Sequence, residues 1–186
     1  MAAYPSGDIA GHLRHTNAAT DLLFDEVIVF TVEVEADVID VALQWTVNPE
    51  EGIHSFVNGV STTGGGMHVE GFKKGLTGAV KGAAKKTFQG TSTFDVELLG
   101  EDIREGLTAI IWADVDAPLF EGWMQSKLAN LEVRPAVERA THQYLDEWFE
   151  EHPALARRVV KKSNAAAGSR VAARMARDRK TRGDRP

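Results

Sequence analysis

The feature that most constrains the fold is a pair of neighbouring segments in which β-branched residues recur at alternate positions. Val27 to Val34 is the first and Val38 to Val47 is the second, and only Glu35-Ala36-Asp37 separates them. Alternation with a period of two is typical of strands that bury one face, and a short polar link favours a hairpin. Ile53 to Val60 is a third candidate strand, so the sequence predicts a three-stranded antiparallel meander.

Helical patterns follow these strands. Apolar residues recur at three- and four-residue steps from His68 onward, which predicts an amphipathic helix. Gly106 to Val115 is apolar and β-branched and predicts a central strand. A long helix is predicted from Leu128 until Pro153, since proline cannot continue the helical ladder. Residues 154–182 are rich in Ala and Arg with a thin apolar stripe, which predicts an exposed helix rather than a core element. This order indicates an α/β domain with helices on one face of its sheet.

The first predicted helix contains three internal glycines, Gly75, Gly78 and Gly82. Each costs roughly 1 kcal/mol relative to alanine in a helix interior. We therefore expect either that packing holds this helix in place, or that its glycines allow another backbone to come close.

Charge is distributed unevenly along the chain. The 186 residues carry a net charge of −6, yet residues 157–186 contain eleven Lys or Arg against two Asp or Glu. A basic segment on an acidic body suggests a contact with nucleic acid or another acidic surface. A solvated, helix-favouring tail explains the same charge run equally well.

The lack of certain residue types and sequence patterns excludes several kinds of site and indicates where the protein is located. The chain has no cysteine, which excludes disulfides, thiolate zinc sites and cysteine nucleophiles and agrees with a cytoplasmic location. There is no apolar run long enough to cross a membrane, and the N-terminus lacks the pattern of a secretory signal. We therefore expect no membrane partner.

Spacings typical of catalytic or ligand sites are not evident. Gly64-Gly65-Gly66 before a helix could bind an anion through backbone N–H groups, but no phosphate-binding consensus is present and a structural turn is the favoured interpretation. The histidines lack a zinc-ligand spacing, and we expect His68 to donate a hydrogen bond at the helix start. Asp102 and Glu105 are expected to be capping and turn groups rather than an acid–base pair. The residues therefore predict no catalytic group, no metal site and no cofactor in this chain.

The segment from Glu121 to Lys127 is a candidate binding loop. It precedes a predicted helix and contains an amide, a hydroxyl and a lysine. These groups could contact a phosphate, with Lys127 as a point charge. Trp123 and Met124 could equally form an exposed apolar plug that binds a partner surface.

An ordered set of motifs resembles the B subunits of bacterial type IIA topoisomerases, the gyrase B and topoisomerase IV B family. The similarity covers nearly the whole chain at the family's spacing. The motifs are Tyr4-Pro5-x-Gly7, Val41-Ala42-Leu43-Gln44-Trp45, Phe56-x-Asn58, Gly65 to Phe72 (the family's G-G-T-H-x-x-G-F, with Met67 for threonine), Gly100 to Leu107 (its G-D-D-x-R-E-G-L), Glu121-Gly122 with Lys127-Leu128, Asn130 and Glu132-Val133, and Arg170 to Arg174 with Ala176-Arg177.

The resemblance implies the transducer domain (domain 2) of these proteins. In the family this is an α/β (α+β) unit, a four-stranded sheet backed by helices with a left-handed βαβ crossover, like domain 2 of ribosomal protein S5. Here a long basic C-terminal helix would follow it. The implied divisions are residues 1–25 as a connector from an ATPase domain, residues 26–153 as the transducer domain, and residues 154–186 as a basic helical extension towards a cleavage domain.

The resemblance also implies a function. The transducer couples ATP-driven dimer closure to DNA strand passage in an ATP-hydrolysing DNA topoisomerase, an isomerase that uses ATP and magnesium. The chain lacks the family's nucleotide-binding and cleavage parts, so we expect it to be inactive alone. The other hypothesis is a free-standing protein with a degenerate transducer fold that binds a topoisomerase subunit or nucleic acid.

The family's ATP-contacting loop departs from its pattern here. Its Gln-Thr-Lys, which reaches the γ-phosphate of ATP, falls on Trp123-Met124-Gln125 when aligned without gaps. Gln125 carries no charge where the family has lysine, and Lys127 matches the family's next lysine. An alignment on Gln125-Ser126-Lys127 would need a compensating insertion and deletion. We therefore interpret Trp123, Met124, Gln125 and Lys127 as a degenerate ATP-contact loop.

Partners follow from the same resemblance. DNA is expected near the basic helix, and topoisomerase ATPase and cleavage domains or the A subunit are the expected protein partners. The candidate DNA-proximal residues are Arg170, Arg174, Arg177, Arg179 and Lys180.

Overall fold

The computed structural model describes residues 8–87, 96–122 and 124–183, the last four of these as backbone only. Three expectations therefore fall on residues outside that description. They are the Tyr4-Pro5-x-Gly7 motif, the exposure of Trp123 and the side chain of Lys180.

The described residues contain a main sheet and a small hairpin. The sheet strands are β1 (Ile28–Val34), β2 (Asp37–Trp45), β3 (Gly52–Val57), β4 (Val60–Ser61) and β5 (Leu107–Asp114), and the hairpin strands are β6 (Phe120–Glu121) and β7 (Lys127–Leu128). The helices are α1 (Ile9–Thr16), α2 (Met67–Thr87), α3 (Gly100–Arg104), α4 (Val133–Glu151) and α5 (Pro153–Gly183).

The strand order of the sheet corrects the predicted meander. The order is β1-β2-β5-β3-β4, with β1 antiparallel to β2 and β2 antiparallel to β5. β5 lies between β2 and β3, and it pairs with β3 in parallel. Residues 107–113 of β5 are all buried, so this strand takes the central position that its apolar sequence predicted. The four longer strands match the predicted number, and β4 adds a two-residue edge.

The parallel pair requires a long connection, and α2 and α3 provide it between β3 and β5. α2 begins at Met67, beside the predicted start at His68. α4 begins at Val133 rather than at Leu128, because Leu128 belongs to β7 and pairs with Phe120. The break at Pro153 is confirmed, with proline at the first position of α5, where its missing N–H costs no helical bond.

Helices cover both faces of the sheet, although one face was expected. The larger apolar core joins alternate sheet residues, such as Val41 and Ile111, to α2 and α4. The neighbouring sheet residues Ala42 and Ile110 bury Leu13 of α1 instead. Successive side chains of a strand point to opposite faces, so α1 lies on the face opposite α2 and α4.

The first half of α5 belongs to the core, which corrects the expectation of a wholly exposed helix. Ala156, Val159 and Val160 are buried, whereas residues 172–179 are exposed. Small Ala and Val side chains let the helix lie close to the body with only a thin apolar stripe. The expected exposure is confirmed only for residues 172–179 of the second half.

The glycines of α2 allow α4 to approach it closely. A Cβ on Gly71 would overlap the backbone of Arg134, and a Cβ on Gly75 would overlap the carbonyl of Glu138 and lie 2.8 Å from the Cβ of Thr141. The second of the two predicted explanations is therefore confirmed for Gly75, and Gly71, which the prediction did not include, shows the same close approach. Gly82 differs, because the Oδ1 of Asp146 at 3.5 Å is the sole atom near its Cβ position among the described residues.

We predict that Gly75→Ala lowers the free energy of unfolding by about 1–3 kcal/mol, because the added methyl forces two helices apart. Gly82→Ala is the matched control on the same helix. It should leave stability unchanged or raise it by up to about 1 kcal/mol through helix propensity. Urea denaturation followed by circular dichroism measures both, and equal effects of the two substitutions would contradict the packing explanation.

Candidate functional site

The predicted binding loop is the β6–β7 hairpin. Phe120 pairs with Leu128 and Glu121 with Lys127. Gln125 lies in the turn with a φ of 51°, a left-handed conformation uncommon for residues other than glycine. Met124 is 71% exposed, so an apolar side chain stands in solvent at the tip.

The base of the hairpin rests on the glycine loop. The Gly64 N–H donates to the Ser126 carbonyl (2.8 Å), and the Leu128 N–H donates to the Gly65 carbonyl (3.1 Å). A Cβ on Gly66, whose φ is 137°, would overlap the backbone of Leu128. The N–H of Gly65 is also engaged, by the Thr62 carbonyl at 2.8 Å. The structural interpretation of the glycine loop is therefore supported over anion binding, because two of its N–H groups already have partners in the protein.

The single lysine of the hairpin is paired. Its ammonium Nζ lies 3.0 Å from Oε2 of Glu121, directly across the two strands. Both groups are partly exposed, so this pair contributes little stability. It nevertheless neutralises the charge of Lys127, and the neighbouring candidate Gln125 is uncharged.

Two asparagines fix the root of the hairpin. Asn58 has a φ of 49°. Its Oδ1 accepts from the Val115 N–H (2.8 Å), and its Nδ2 donates to the Val115 carbonyl (2.9 Å). Asn130 accepts from the Leu119 N–H (2.7 Å) and donates to Glu132 Oε1 (2.8 Å). Both asparagines belong to the family motifs, but the sequence assigned neither a role. A signal for the first was available, because an Asn-Gly pair is a strong turn former.

His68, expected to donate a hydrogen bond at the helix start, is the second residue of α2, and which atom donates in its contact with Thr62 depends on the ring tautomer. Its ring is fully buried, its Nε2 lies 3.4 Å from the Thr62 hydroxyl, and that hydroxyl lies 2.7 Å from Ser55 Oγ. Its Nδ1 has no hydrogen-bond partner among the described residues. Burial lowers the pKa of His68 to about 4, so the imidazole is neutral at pH 7.

The candidate DNA-proximal residues have different surroundings. Arg170 binds the carboxylate of Asp102 with Nε (2.9 Å) and Nη2 (2.8 Å). Arg174, Arg177 and Arg179 are exposed on the second half of α5. The structure therefore gives Arg170 an internal partner and leaves Arg174, Arg177 and Arg179 on an exposed surface.

Asp102 is the capping group that the sequence predicted. Its carboxylate accepts from the Leu99 N–H (2.8 Å) at the start of α3. Burial acts to raise the pKa of Asp102, but the hydrogen bonds from Arg170 and Leu99 and the guanidinium charge hold that pKa below its ordinary value.

Two features are not found in residues 8–87, 96–122 and 124–183: a cluster of metal-ligating side chains and a membrane-spanning helix. These residues contain no group of three His, Cys, Asp or Glu placed to hold a metal ion. Their helices include none that is long and apolar enough to span a membrane.

The fold defines a class shared with solved structures. The chain is similar to the 43K ATPase domain of Thermus thermophilus gyrase B in complex with an aminocoumarin, with a TM-score of 0.83 and 30% identity over 92% of this chain and 46% of that chain. It is also similar to the topoisomerase IV ATP-binding domain of Francisella tularensis, with a TM-score of 0.73 and 25% identity over 88% and 43% of the two chains. The class is a mixed α/β fold with a helix-backed sheet, similar to part of these ATPase regions.

Sequence comparison identifies the family. A family model described as DNA gyrase B matches residues 8–179. The novobiocin-sensitive DNA gyrase B protein of Streptomyces niveus is 40% identical over 179 residues, covering 94% of this chain and 26% of that protein. The DNA gyrase B protein of Mycobacterium tuberculosis is 36% identical over 175 residues, with the same coverage. The chain belongs to the DNA gyrase B family, and it spans about a quarter of the length of these relatives.

The buried imidazole of His68 predicts a pH-dependent stability. The folded pKa, about 4, lies below the unfolded value of about 6.5, so the unfolded chain binds a proton that the folded chain resists. The free energy of unfolding should therefore decrease as the pH is lowered. This group alone should account for a loss of about 3 kcal/mol between pH 7 and pH 4.

Urea denaturation across this pH range measures the effect. His68→Gln should flatten the dependence by that amount, whereas His54→Gln, which changes an exposed imidazole on β3, should leave it intact. An equal pH dependence in wild type and His68→Gln would show that another group is responsible.

Proposed function

We propose that the chain is the transducer module of a bacterial type IIA topoisomerase, which couples ATP-driven dimer closure to DNA strand passage. The central observation is the position of β5. Its N-terminal end follows α3, which binds α5 through Arg170, and its C-terminal end leads to the β6–β7 hairpin. This eight-residue strand, buried along its first seven residues, therefore joins the two regions over about 25 Å. In this proposal β5, which is paired on both sides, would transmit a displacement between the two regions.

The finer structural assignments are part of the same proposal. The β3–α2–α3–β5 connection would be the left-handed crossover of the family, against the general preference for right-handed connections. Residues 1–25, 26–153 and 154–186 would be connector, transducer and extension. These divisions would be functional rather than packing boundaries, because Leu13 and buried residues in the first half of α5 belong to the apolar cores.

ATP and magnesium would be bound by other parts of a longer protein. The described residues of the hairpin do not fit a nucleotide site by themselves, since Gln125 is uncharged and Lys127 is paired with Glu121. The hairpin would thus occupy the position of the family's ATP-contacting loop without its γ-phosphate contact. Such a protein would act in the cytoplasm on DNA, together with ATPase and cleavage domains or an A subunit.

The free-standing binding protein is the second candidate function. It is favoured by one observation, the exposed apolar side chains of Leu119, Met124 and Leu131 at and beside the hairpin, which are 62%, 71% and 72% exposed. Exposed apolar groups that cluster on a surface are typical of a protein contact.

A chimera tests the transducer assignment. The chain replaces the matching segment of the Streptomyces niveus gyrase B protein, and ATP hydrolysis and supercoiling are measured with the A subunit. We expect DNA-dependent supercoiling with slow ATP turnover, and we expect Gln125→Lys to raise turnover at least about tenfold by returning a cation to the γ-phosphate. Met124→Lys adds the same charge at the adjacent exposed residue and should have no such effect.

The outcomes test the transducer role and the degenerate ATP-contact loop separately. A chimera that folds but never supercoils DNA, with or without Gln125→Lys, would contradict the transducer role. Supercoiling with an ATP turnover that is insensitive to Gln125→Lys would retain the role and contradict the degenerate loop. The isolated chain should release no phosphate from ATP above the level of a heat-denatured sample.

The exposed half of α5 should bind double-stranded DNA weakly and without sequence preference. Each lysine or arginine that contacts a phosphate releases counterions, so affinity should fall steeply with salt. Arg174→Gln with Arg179→Gln should weaken binding and reduce the salt slope by about 2. Substitution is a cleaner test than truncation at Pro153, because truncation would remove the buried first half of α5.

The matched control is Lys85→Gln with Arg139→Gln, which removes two exposed cations from α2 and α4. Electrophoretic mobility shifts between about 50 and 200 mM salt measure the slopes. Equal losses in both double variants would mean that the total charge, not α5, determines binding.

A further inference from the structure

Two basic residues of α5 bind the body of the protein, whereas the described basic side chains of its second half are exposed. Lys162 and Arg170 lie in the half that packs on the body, and both bind it through side-chain hydrogen bonds. Lys162 Nζ donates to the carbonyl of Val47 at 2.9 Å. Residues 172–179 are all exposed, and we call residues 171–183 the arm. Arg170 thus binds the body at the point where the packed half of α5 ends and the arm begins.

The contact of Arg170 is directional as well as electrostatic. Its Nε and Nη2 bind separate oxygens of Asp102 at 2.9 and 2.8 Å, a two-point geometry that restricts rotation of the guanidinium. Nη2 also donates to the carbonyl of Glu97 at 3.0 Å. The side chain of Asp102 is only 2% exposed, so little water competes for this bond.

The other side of the contact is firmly part of the body. α3, which carries Asp102, is held by the indole of Trp45, whose Nε1 donates to the Ile103 carbonyl at 3.1 Å. Arg104, which is also on α3, donates a hydrogen bond from Nε to Oε1 of Glu51 at 3.0 Å. The anchor on α3 is therefore tied to the sheet by the Trp45 hydrogen bond as well as to α5 by Arg170.

Because the arm is long, a small change in the contact at its root would move its tip by several ångströms. The arm contains about 13 residues and is therefore about 20 Å long, so a tilt of about 20° at its root would move its tip by about 7 Å. Because residues 172–179 are exposed, apolar packing does not hold this stretch against the body. The contacts at the root therefore bear directly on the direction of the arm.

We propose that Arg170 and Asp102 form a positioning latch, which sets the direction of the basic arm relative to the sheet, and that Arg170 does not itself contact nucleic acid. The latch is distinct from the transducer assignment, because it concerns the geometry of this chain alone. Loss of the latch should not unfold the protein, since Ala156, Val159 and Val160 still bury the first half of α5.

A distance measurement tests the latch directly. The chain has no cysteine, so two introduced cysteines take spin labels selectively. Glu33→Cys on β1 and Asp178→Cys on the arm are both at exposed positions, and pulsed electron paramagnetic resonance gives the distribution of distances between them. In the otherwise unchanged chain we expect one narrow distribution.

Four variants separate the latch from general effects of charge. Arg170→Met and Asp102→Asn should each broaden the distribution at least about twofold or shift its centre by several ångströms, as expected for the tilt above. Arg170→Lys keeps the charge but not the two-point geometry, and should give an intermediate width. Arg174→Met removes a charge one turn later and should leave the distribution unchanged. Circular dichroism confirms that each variant is folded.

The outcomes decide the proposal. A distribution that stays narrow and centred in folded Arg170→Met, or one that broadens equally in Arg174→Met, would overturn it. If Asp102→Asn fails to fold, Arg170→Met and Arg170→Lys still decide. With DNA, Arg174→Met should reduce the salt slope by about 1, as loss of a phosphate contact does, whereas Arg170→Met should not. A reduced slope for Arg170→Met would assign Arg170 to DNA, whatever the function of the longer protein.

Discussion

The position of β5 between β2 and β3 is the constraint on which the rest of the structure depends. Its first seven residues are buried, and it forms backbone hydrogen bonds with a neighbour on each side. Because the β3–β5 pair is parallel, the chain must cross the sheet before entering β5, and α2 and α3 lie in that crossing. The same pairing places α3 at one end of the strand and the root of the β6–β7 hairpin at the other.

Close backbone contacts, rather than large side chains, build the surroundings of the hairpin. Gly71 and Gly75 bring α2 against α4, and Gly66 brings the glycine loop against Leu128. A hairpin held at its base by backbone hydrogen bonds keeps a defined position, while Met124 at its tip remains in solvent. The hairpin therefore combines a fixed base with an exposed tip.

Burial determines how the charges of this chain are used. Asp102 is nearly inaccessible to water and is satisfied by Arg170 and Leu99, so its charge organises the junction of α3 and α5. Lys127 and Glu121 are partly exposed and chiefly cancel each other's charge. Arg174, Arg177 and Arg179 lie on an exposed stretch of helix that a partner can reach. One basic run in the sequence therefore contains residues that hold the fold together and residues that face the solvent.

The sequence by itself determined the local elements and the family. Period-two alternation located β1 and β2, three- and four-residue spacing located α2, and Pro153 marked the break between the last helices, because these signals depend on neighbouring residues. The ordered motifs identified the gyrase B family for the same reason. Only the tertiary structure decided that β5 separates β2 from β3, that Leu128 pairs in a hairpin, that Arg170 binds Asp102 and that His68 is buried. Each of these depends on a partner distant in the chain, such as the 68 positions between Asp102 and Arg170, and local periodicity contains no information about which distant residues will meet.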